Sequence, residues 1–372
     1  MPYIHDEPGW PSFTWSAERL SQPLAGVRHR QGRLLGRMEA LGFALSAQAS
    51  LSMLTDDAVK SSAIEGEVLE PQEVRSSLAR RLGLDAGGLP KPSRAVEGVV
   101  EMLLDATQGH ATPLTAERLF SWHAALFPTG HTGLQHITVG AWRPAAVGAM
   151  QVVSGAIGRE RVHFEAPTAA RLDAEMSRFL AWFNAPDDTD PVLRAGIAHF
   201  WFVTVHPFED GNGRIARAIG DMALARADAS TQRFYSLSSR IEAERRDYYN
   251  VLERQQKGSL DITPWLSWFL DCLDRAMAAA ESATGGLIDK ARLLDWINRD
   301  PVNERQRRVI NRLLDGYEEH LTNAKYAKLA KCSADTALRD VQALLKRGVL
   351  VQNPGGGRST SYRLARVAEG LG

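Results

Sequence analysis

Apolar residues recur at intervals of three and four along most of the chain, as in helices that bury one face. Leu20, Leu24, Val27, Leu34, Leu35, Met38 and Leu41 follow this spacing between Ala17 and Leu54, and Ala58, Val59 and Ala63 predict a further helix from Asp56. The stretch Asp85-Ala-Gly-Gly-Leu-Pro-Lys-Pro-Ser93 reads as a loop, after which helices are expected over 94–106 and 115–126. The pattern then changes. Gln151-Val-Val153 and Arg161-Val-His-Phe164, joined by a Gly-containing turn, predict a short β-hairpin. Helical spacing returns over 168–183, 191–205, 215–226, 240–256 and 263–283, and Thr284-Gly285-Gly286 reads as a boundary. Three short helices are expected at 306–315, 323–331 and 334–346, the last started by Ser333 and capped by Gly348. Val349–Val351 and Thr360–Leu364 flank Asn353-Pro-Gly-Gly-Gly357 as a second hairpin. The expectation is a mainly α chain: an N-terminal helical region over 1–110, a helical core over 111–283, a linker over 284–302 and a small C-terminal domain over 303–372.

A length of 372 residues allows two or three domains, and 44% apolar with 24% charged residues is ordinary globular usage. That composition excludes disorder as the dominant state. Cys272 and Cys332 are the only cysteines, which excludes a disulfide scaffold and a four-cysteine zinc site. The net charge is zero, so no overall field draws the chain to nucleic acid or membranes. The average conceals an asymmetry: residues 303–366 hold thirteen Lys/Arg against six Asp/Glu, a local +7 balanced by −7 elsewhere. MPYIHDEPGW has no basic segment leading into an apolar one, and the most apolar stretch, Ala195–Val205, is short and contains His199. A cytoplasmic protein with no membrane association is expected.

The richest chemistry lies in His206-Pro-Phe-Glu-Asp-Gly-Asn-Gly-Arg-Ile-Ala-Arg217. Gly211-Asn212-Gly213 can turn several N–H groups towards one point at the start of a helix, where the dipole favours an anion. Arg214 and Arg217, three apart on that helix, can face the same phosphate. Asp210 offers the hard oxygen donors that Mg²⁺ prefers when it also binds nucleotide phosphates. His206 supplies a base near neutral pH, able to take a proton from a hydroxyl that attacks phosphorus.

This stretch resembles the Fic family motif, HxFx(D/E)GNGRxxR, at every specified position. The resemblance covers roughly Pro113 to Ala283 and implies a helical Fic fold with a short hairpin. It implies transfer of AMP from ATP to Tyr, Thr or Ser hydroxyls of protein targets and of the chain itself, with Mg²⁺ as cofactor and pyrophosphate leaving. By that similarity His206 is the general base and Asp210 the Mg²⁺ ligand. Gly211, Asn212, Gly213, Arg214 and Arg217 hold phosphates, and Phe208 anchors the loop. The Doc-like kinases of the family carry lysine where Gly213 stands, and bind the nucleotide in the reverse sense; glycine favours AMP transfer.

Other segments extend the resemblance. The hairpin, with Val152, Val153, Val162, His163 and Phe164, resembles the family's flap, which pairs with the target's backbone; Gly140 and Arg143 precede it, as in many relatives. Arg245-Arg-Asp-Tyr-Tyr-Asn250 resembles the nucleotide-side helix, so Tyr248 or Tyr249 either stacks on the purine or packs in the core. His199 reads as a core or surface histidine. Ser61-Ser-Ala-Ile-Glu65-Gly66 resembles the inhibitory motif (S/T)xxxE(G/N), which implies that Glu65 pairs with Arg217 and displaces the γ-phosphate, with Ser61 steadying Glu65. Residues 322–364 resemble a winged helix, with Arg339, Lys346, Arg347 and Arg358 placed to meet DNA, although such modules also dock proteins. A homodimer is common among relatives. Alternatives from the same sequence are a nucleotide-responsive DNA-binding regulator, a Fic enzyme with another nucleotide donor, and one that also removes AMP.

Overall fold

The computed structural model describes residues 3–39, 43–84, 88–154, 161–299, 302–314, 320–354 and 360–365. Helix α1 (Ala17–Glu39) buries Leu20, Val27, Leu34 and Met38, the stripe expected from their spacing. Helix α2 (Phe43–Ile64) runs unbroken through Asp56, where the sequence suggested a new helix. Within it Asp57 is a buried acceptor, taking hydrogen bonds from Ser236 Oγ (2.6 Å) and Ser238 N (3.2 Å). Helix α3 (Pro71–Arg81) was not anticipated, since its buried face rests on only two large apolar residues, Val74 and Leu78. Helices α4 (Arg94–Gln108) and α5 (Ala116–Leu126) follow, then a small hairpin, β1 (His131–Thr132) with β2 (Gln135–His136), also unforeseen.

Strands β3 (Gln151–Ser154) and β4 (Arg161–Glu165) form an antiparallel hairpin. Next come α6 (Leu172–Asn184), α7 (Pro191–Val205) and α8 (Asn212–Asp228). Helix α7 is buried on nearly every side, is started by Asp190, whose carboxylate accepts from Val192 N at 2.8 Å, and carries proline in its first turn. It packs against α8, which in turn meets α4, α2 and α5.

The predicted helix over 240–256 is two helices, α9 (Leu237–Ala243) and α10 (Arg245–Gln256). They part at Glu244, whose carboxylate is held 2.7 Å from Arg275. Helix α11 (Thr263–Arg299) carries that arginine and continues through Gly285-Gly286. Two glycines cost a helix about 1 kcal/mol each relative to alanine, too little to stop one flanked by strong formers. Trp265 donates to the Gly196 carbonyl at 2.8 Å, and a Cβ on Gly196 would lie 3.0 Å from Leu266 and Phe269. Glycine thus lets α7 and α11 approach closely.

The chain divides into two units, Met1–Glu281 and Ser282–Gly372. The second contains α12 (Glu304–Leu314), α13 (Asn323–Ala330), α14 (Ala334–Lys346) and the antiparallel pair β5 (Leu350–Gln352) and β6 (Tyr362–Leu364). Its core gathers Val309, Ile310, Leu321, Tyr326, Val341, Leu344 and Tyr362. Ser333 Oγ accepts from Thr336 N at 3.3 Å and starts α14, which exposes Arg339 and Lys346. Arg358 lies outside the described residues. Among the described residues no helix is long and apolar enough to cross a membrane.

Candidate active site

His206 ends α7 in the left-handed region, at φ 52° and ψ 59°, a conformation that histidine tolerates better than most non-glycine residues. Its Nδ1 lies 3.1 Å from the Val203 carbonyl, which can only accept. The proton of the neutral ring is therefore on Nδ1, and Nε2 keeps its lone pair. Burial pushes the imidazole below its usual pKa, and the Arg143 cation acts in the same direction. Arg143, itself buried, donates through Nε to the His206 carbonyl (2.9 Å) and through Nη2 to the Pro167 carbonyl, tying the loop to the base of the β3–β4 hairpin.

The loop closes on itself. Asn212 Oδ1 accepts from Phe208 N (2.9 Å), and Asn212 Nδ2 donates to Phe208 O (2.8 Å). The Asn212 side chain is thus spent on the loop, leaving the backbone of the α8 first turn to meet an anion. Phe208 is fully buried and stacks on His123 with ring centroids 4.2 Å apart. Gly211 takes φ 82° as α8 begins, a turn that a side chain would strain. Asp210 accepts from Gly211 N through Oδ1 and from the Thr132 hydroxyl through Oδ2, both at 2.5 Å. Thr132 was not foreseen as a partner, because it sits on the small hairpin that the sequence did not reveal.

Two carboxylates from the end of α2 meet the two arginines of α8. Glu65 Oε1 accepts from Arg217 Nη2 at 2.8 Å, and Ser61 adds its hydroxyl (2.9 Å from Nε) and carbonyl (2.8 Å from Nη2). Burial opposes the Arg217 charge, yet Glu65, Tyr248 and Tyr249 together outweigh burial and the guanidinium pKa is raised. Glu67, which the sequence reading passed over, accepts from Arg214 Nη1 at 2.5 Å. Nothing in sequence spacing announces that pair, since the partners are 147 positions apart. Gly66 turns the chain between the acids at φ 85°. A Cβ on Gly213 would sit 2.1 Å from Glu65 Oε1, so the bare glycine is what admits this carboxylate.

A cleft of about 780 Å³ opens in front of these groups, lined by Glu65, His206, Asp210 and Gly211–Gly213 on one side and by Arg245, Tyr249 and Glu253 of α10 on another. Val152, Val153, Ser154 and His163 of the hairpin form a further wall. Tyr249 is 37% exposed, whereas Tyr248 is only 1% exposed, with its hydroxyl 2.9 Å from His199 Nε2. His199 is buried, which drives its pKa down to about 3 and keeps it neutral. Phe164 turns inward onto Tyr3 and His5, while Val153 and Val162 stay exposed. Among the described residues no cluster of three or more His, Cys, Asp or Glu could enclose a metal. Asp210 alone fits Mg²⁺, which binds through one or two carboxylates plus substrate phosphates rather than in an all-protein cage.

Comparison with known proteins places this geometry. Residues 113–224 match the Fic/DOC family, and residues 3–84 match a domain of unknown function, DUF4172. A protein adenylyltransferase Fic from Culex quinquefasciatus is 34% identical over 130 residues, 34% of this chain and 24% of that protein. Its Drosophila melanogaster counterpart is 26% identical over 227 residues, 60% of this chain and 41% of that protein. The chain therefore matches less than half the length of these curated relatives. A crystal structure of a Fic family protein from Desulfovibrio desulfuricans G20 shares the fold, with a TM-score of 0.54 and 19% identity over 95% of this chain and 98% of that one. Helix α7, the self-closed loop and α8 as far as Leu224 lie within the matched stretch, and the chain carries a Fic domain.

Proposed function

We propose that the protein transfers AMP from ATP to a hydroxyl of a protein, itself included, and holds this activity in check with Glu65. The observation that carries the reading is the convergence of an unprotonated His206 Nε2 and the N-terminus of α8 on one cleft, with Arg214 and Arg217 on the same helix. His206 takes the proton of the incoming hydroxyl as that oxygen bonds to the α-phosphorus, and the bond to pyrophosphate breaks. The first-turn N–H groups of α8 and the arginines offset the charge that builds on the phosphoryl oxygens. Mg²⁺, held by Asp210, would neutralise phosphate charge and orient the leaving group. Tyr249, at the cleft's edge, suits a purine face, and glycine at 213 supports the AMP-transfer sense of binding.

Glu65 supports the brake because it occupies the guanidinium that a γ-phosphate needs. The test uses α-phosphate-labelled ATP and Mg²⁺ with wild type, Glu65→Gly, and Glu65→Gly combined with His206→Ala. Label on protein in the second and none in the third is expected. Absence of label from the second, with ATP binding intact, rejects the reading. A second role, DNA contact through residues 322–364, draws on the exposed Arg339 and Lys346 of α14. It requires duplex binding that weakens steeply with salt as counterions are released.

A further inference from the structure

The β3–β4 hairpin contains an extra residue. Val152 pairs with Phe164 and Val153 with Val162, which leaves His163 without a partner across the ladder. A bulge of this kind bends the strand and re-aims a side chain, and bulges concentrate beside active sites. Here the re-aimed ring reaches α10: His163 Nδ1 is 2.6 Å from Glu253 Oε2, and its Nε2 is 2.5 Å from Ser154 Oγ on β3. The other Glu253 oxygen takes Arg161 Nη2 (3.0 Å) and Lys257 Nζ (2.7 Å). Burial works against the charge, but Lys257, His163 and Arg161 hold the Glu253 carboxyl down at about 2, so it is ionised and only accepts. Nδ1 therefore donates to Glu253, and Nε2 is hydrogen-bonded to the Ser154 hydroxyl.

The hairpin needs such a hold, because an isolated two-stranded ribbon is marginal in water. Its base is anchored: Phe164 packs edge-on against Tyr3 at 5.1 Å and against His5 at 5.7 Å, and His5 Nε2 lies 2.8 Å from the Glu165 carbonyl. Among the described residues its outer half has no buried apolar anchor, with Val153 48% and Val162 38% exposed. The carboxylate of Glu253 fills that gap, joining α10 to β4 and, through the ring, to β3. Ser154, His163 and Glu253 all line the cleft that holds His206.

We infer that Glu253 and the bulged His163 are positioning residues, which fix the outer half of the hairpin against α10 and so set the spacing at which a target's hydroxyl meets the nucleotide. The inference rests on the AMP-transfer reading for its consequence, and on the hairpin's contacts alone for the clamp itself. A target segment then docks on an edge already set at its working distance from the α10 wall.

The experiment takes full-length Glu65→Gly as parent and adds Glu253→Gln, His163→Ala, or both. Amide hydrogen exchange in peptides spanning 151–154 and 161–165 reads the clamp directly, and roughly tenfold faster exchange is expected in each variant, as for loss of a charge-assisted hydrogen bond. The double variant should be no faster than Glu253→Gln alone, because the grip of His163 on α10 runs through Glu253. Titration with Mg-ATP should give an unchanged dissociation constant. Self-labelling at saturating α-labelled ATP should slow roughly tenfold with KM for ATP unmoved, a split that general destabilisation would not produce. Unchanged hairpin exchange overturns the clamp. So does weakened ATP binding with hairpin exchange unchanged, which would make Glu253 a nucleotide contact. If the parent transfers no label, the AMP-transfer reading falls, and hydrogen exchange still decides the clamp.

Discussion

The loop from His206 to Arg217 is closed by hydrogen bonds between near neighbours. Asn212 bonds to both backbone groups of Phe208 four positions away, and His206 leans on Val203 three positions back. The segment from Ser61 to Glu67 takes its meaning from a distance: its hydrogen bonds to Arg217 and Arg214 join residues about 150 positions apart. The two regions meet on α8, one as a self-bonded loop at its start and the other as a pair of carboxylates on Arg217 and Arg214. The acids are also the wetter partners, with the Glu65 side chain 30% and the Glu67 side chain 37% exposed against 2% for Arg217 and 6% for Arg214. On the proposed reading, in which the acids give way to a triphosphate, this exposure puts them at the open side of the contact.

Removing the chemistry while keeping both shapes gives the largest effect. In the Glu65→Gly background, His206→Ala should cut AMP transfer by about 10²–10⁴, the range for a general base, with circular dichroism unchanged. Breaking the local half comes next. Asn212→Ala leaves the buried Phe208 N–H and C=O unpaired, at about 1–3 kcal/mol for each such group, and a thermal melt should show the loss. A melt equal to wild type would mean the loop does not depend on its staple.

Breaking the distant half should act on turnover. Glu65→Gly is expected to raise label transfer roughly 10- to 100-fold, about 1.4 kcal/mol per decade; unchanged turnover would detach the ion pair from control. Acid titration sharpens the same point. Burial depresses the His206 pKa, so the base stays unprotonated at pH 7, and kcat/KM should fall only as pH drops below the ordinary histidine value near 6.5. The Glu65 charge raises that pKa, so its removal should move the acid limb lower still in the pH–rate profile. The smallest effect is expected from Glu67→Gln, about two- to fivefold in rate, since a partly exposed pair is weak. A rise matching that of Glu65→Gly would give the two acids equal weight.

Much of this was legible in the chain. The loop could be read because its residue types and spacing are set within twelve positions, and the helices because their buried stripes repeat every turn. Elements defined by distant partners escaped. α2 runs past Asp56, with Asp57 taken up by Ser236 and Ser238, and the helix expected over 240–256 breaks where Glu244 is held by Arg275. The small β1–β2 hairpin, and with it Thr132 against Asp210, had no pattern long enough to show alternation.

The sequence by itself determined the helical class, the glycine-rich turn that opens a helix and the identity of the groups able to act on a phosphate. Each follows from interactions between near neighbours, where residue type and spacing fix geometry. Only the tertiary structure decided which acid faces which arginine, that Asn212 closes the loop instead of reaching outward, and that a bulged His163 is gripped by Glu253. Those outcomes depend on burial, on close approach at Gly213, and on charges brought together from remote parts of the chain, none of which periodicity encodes.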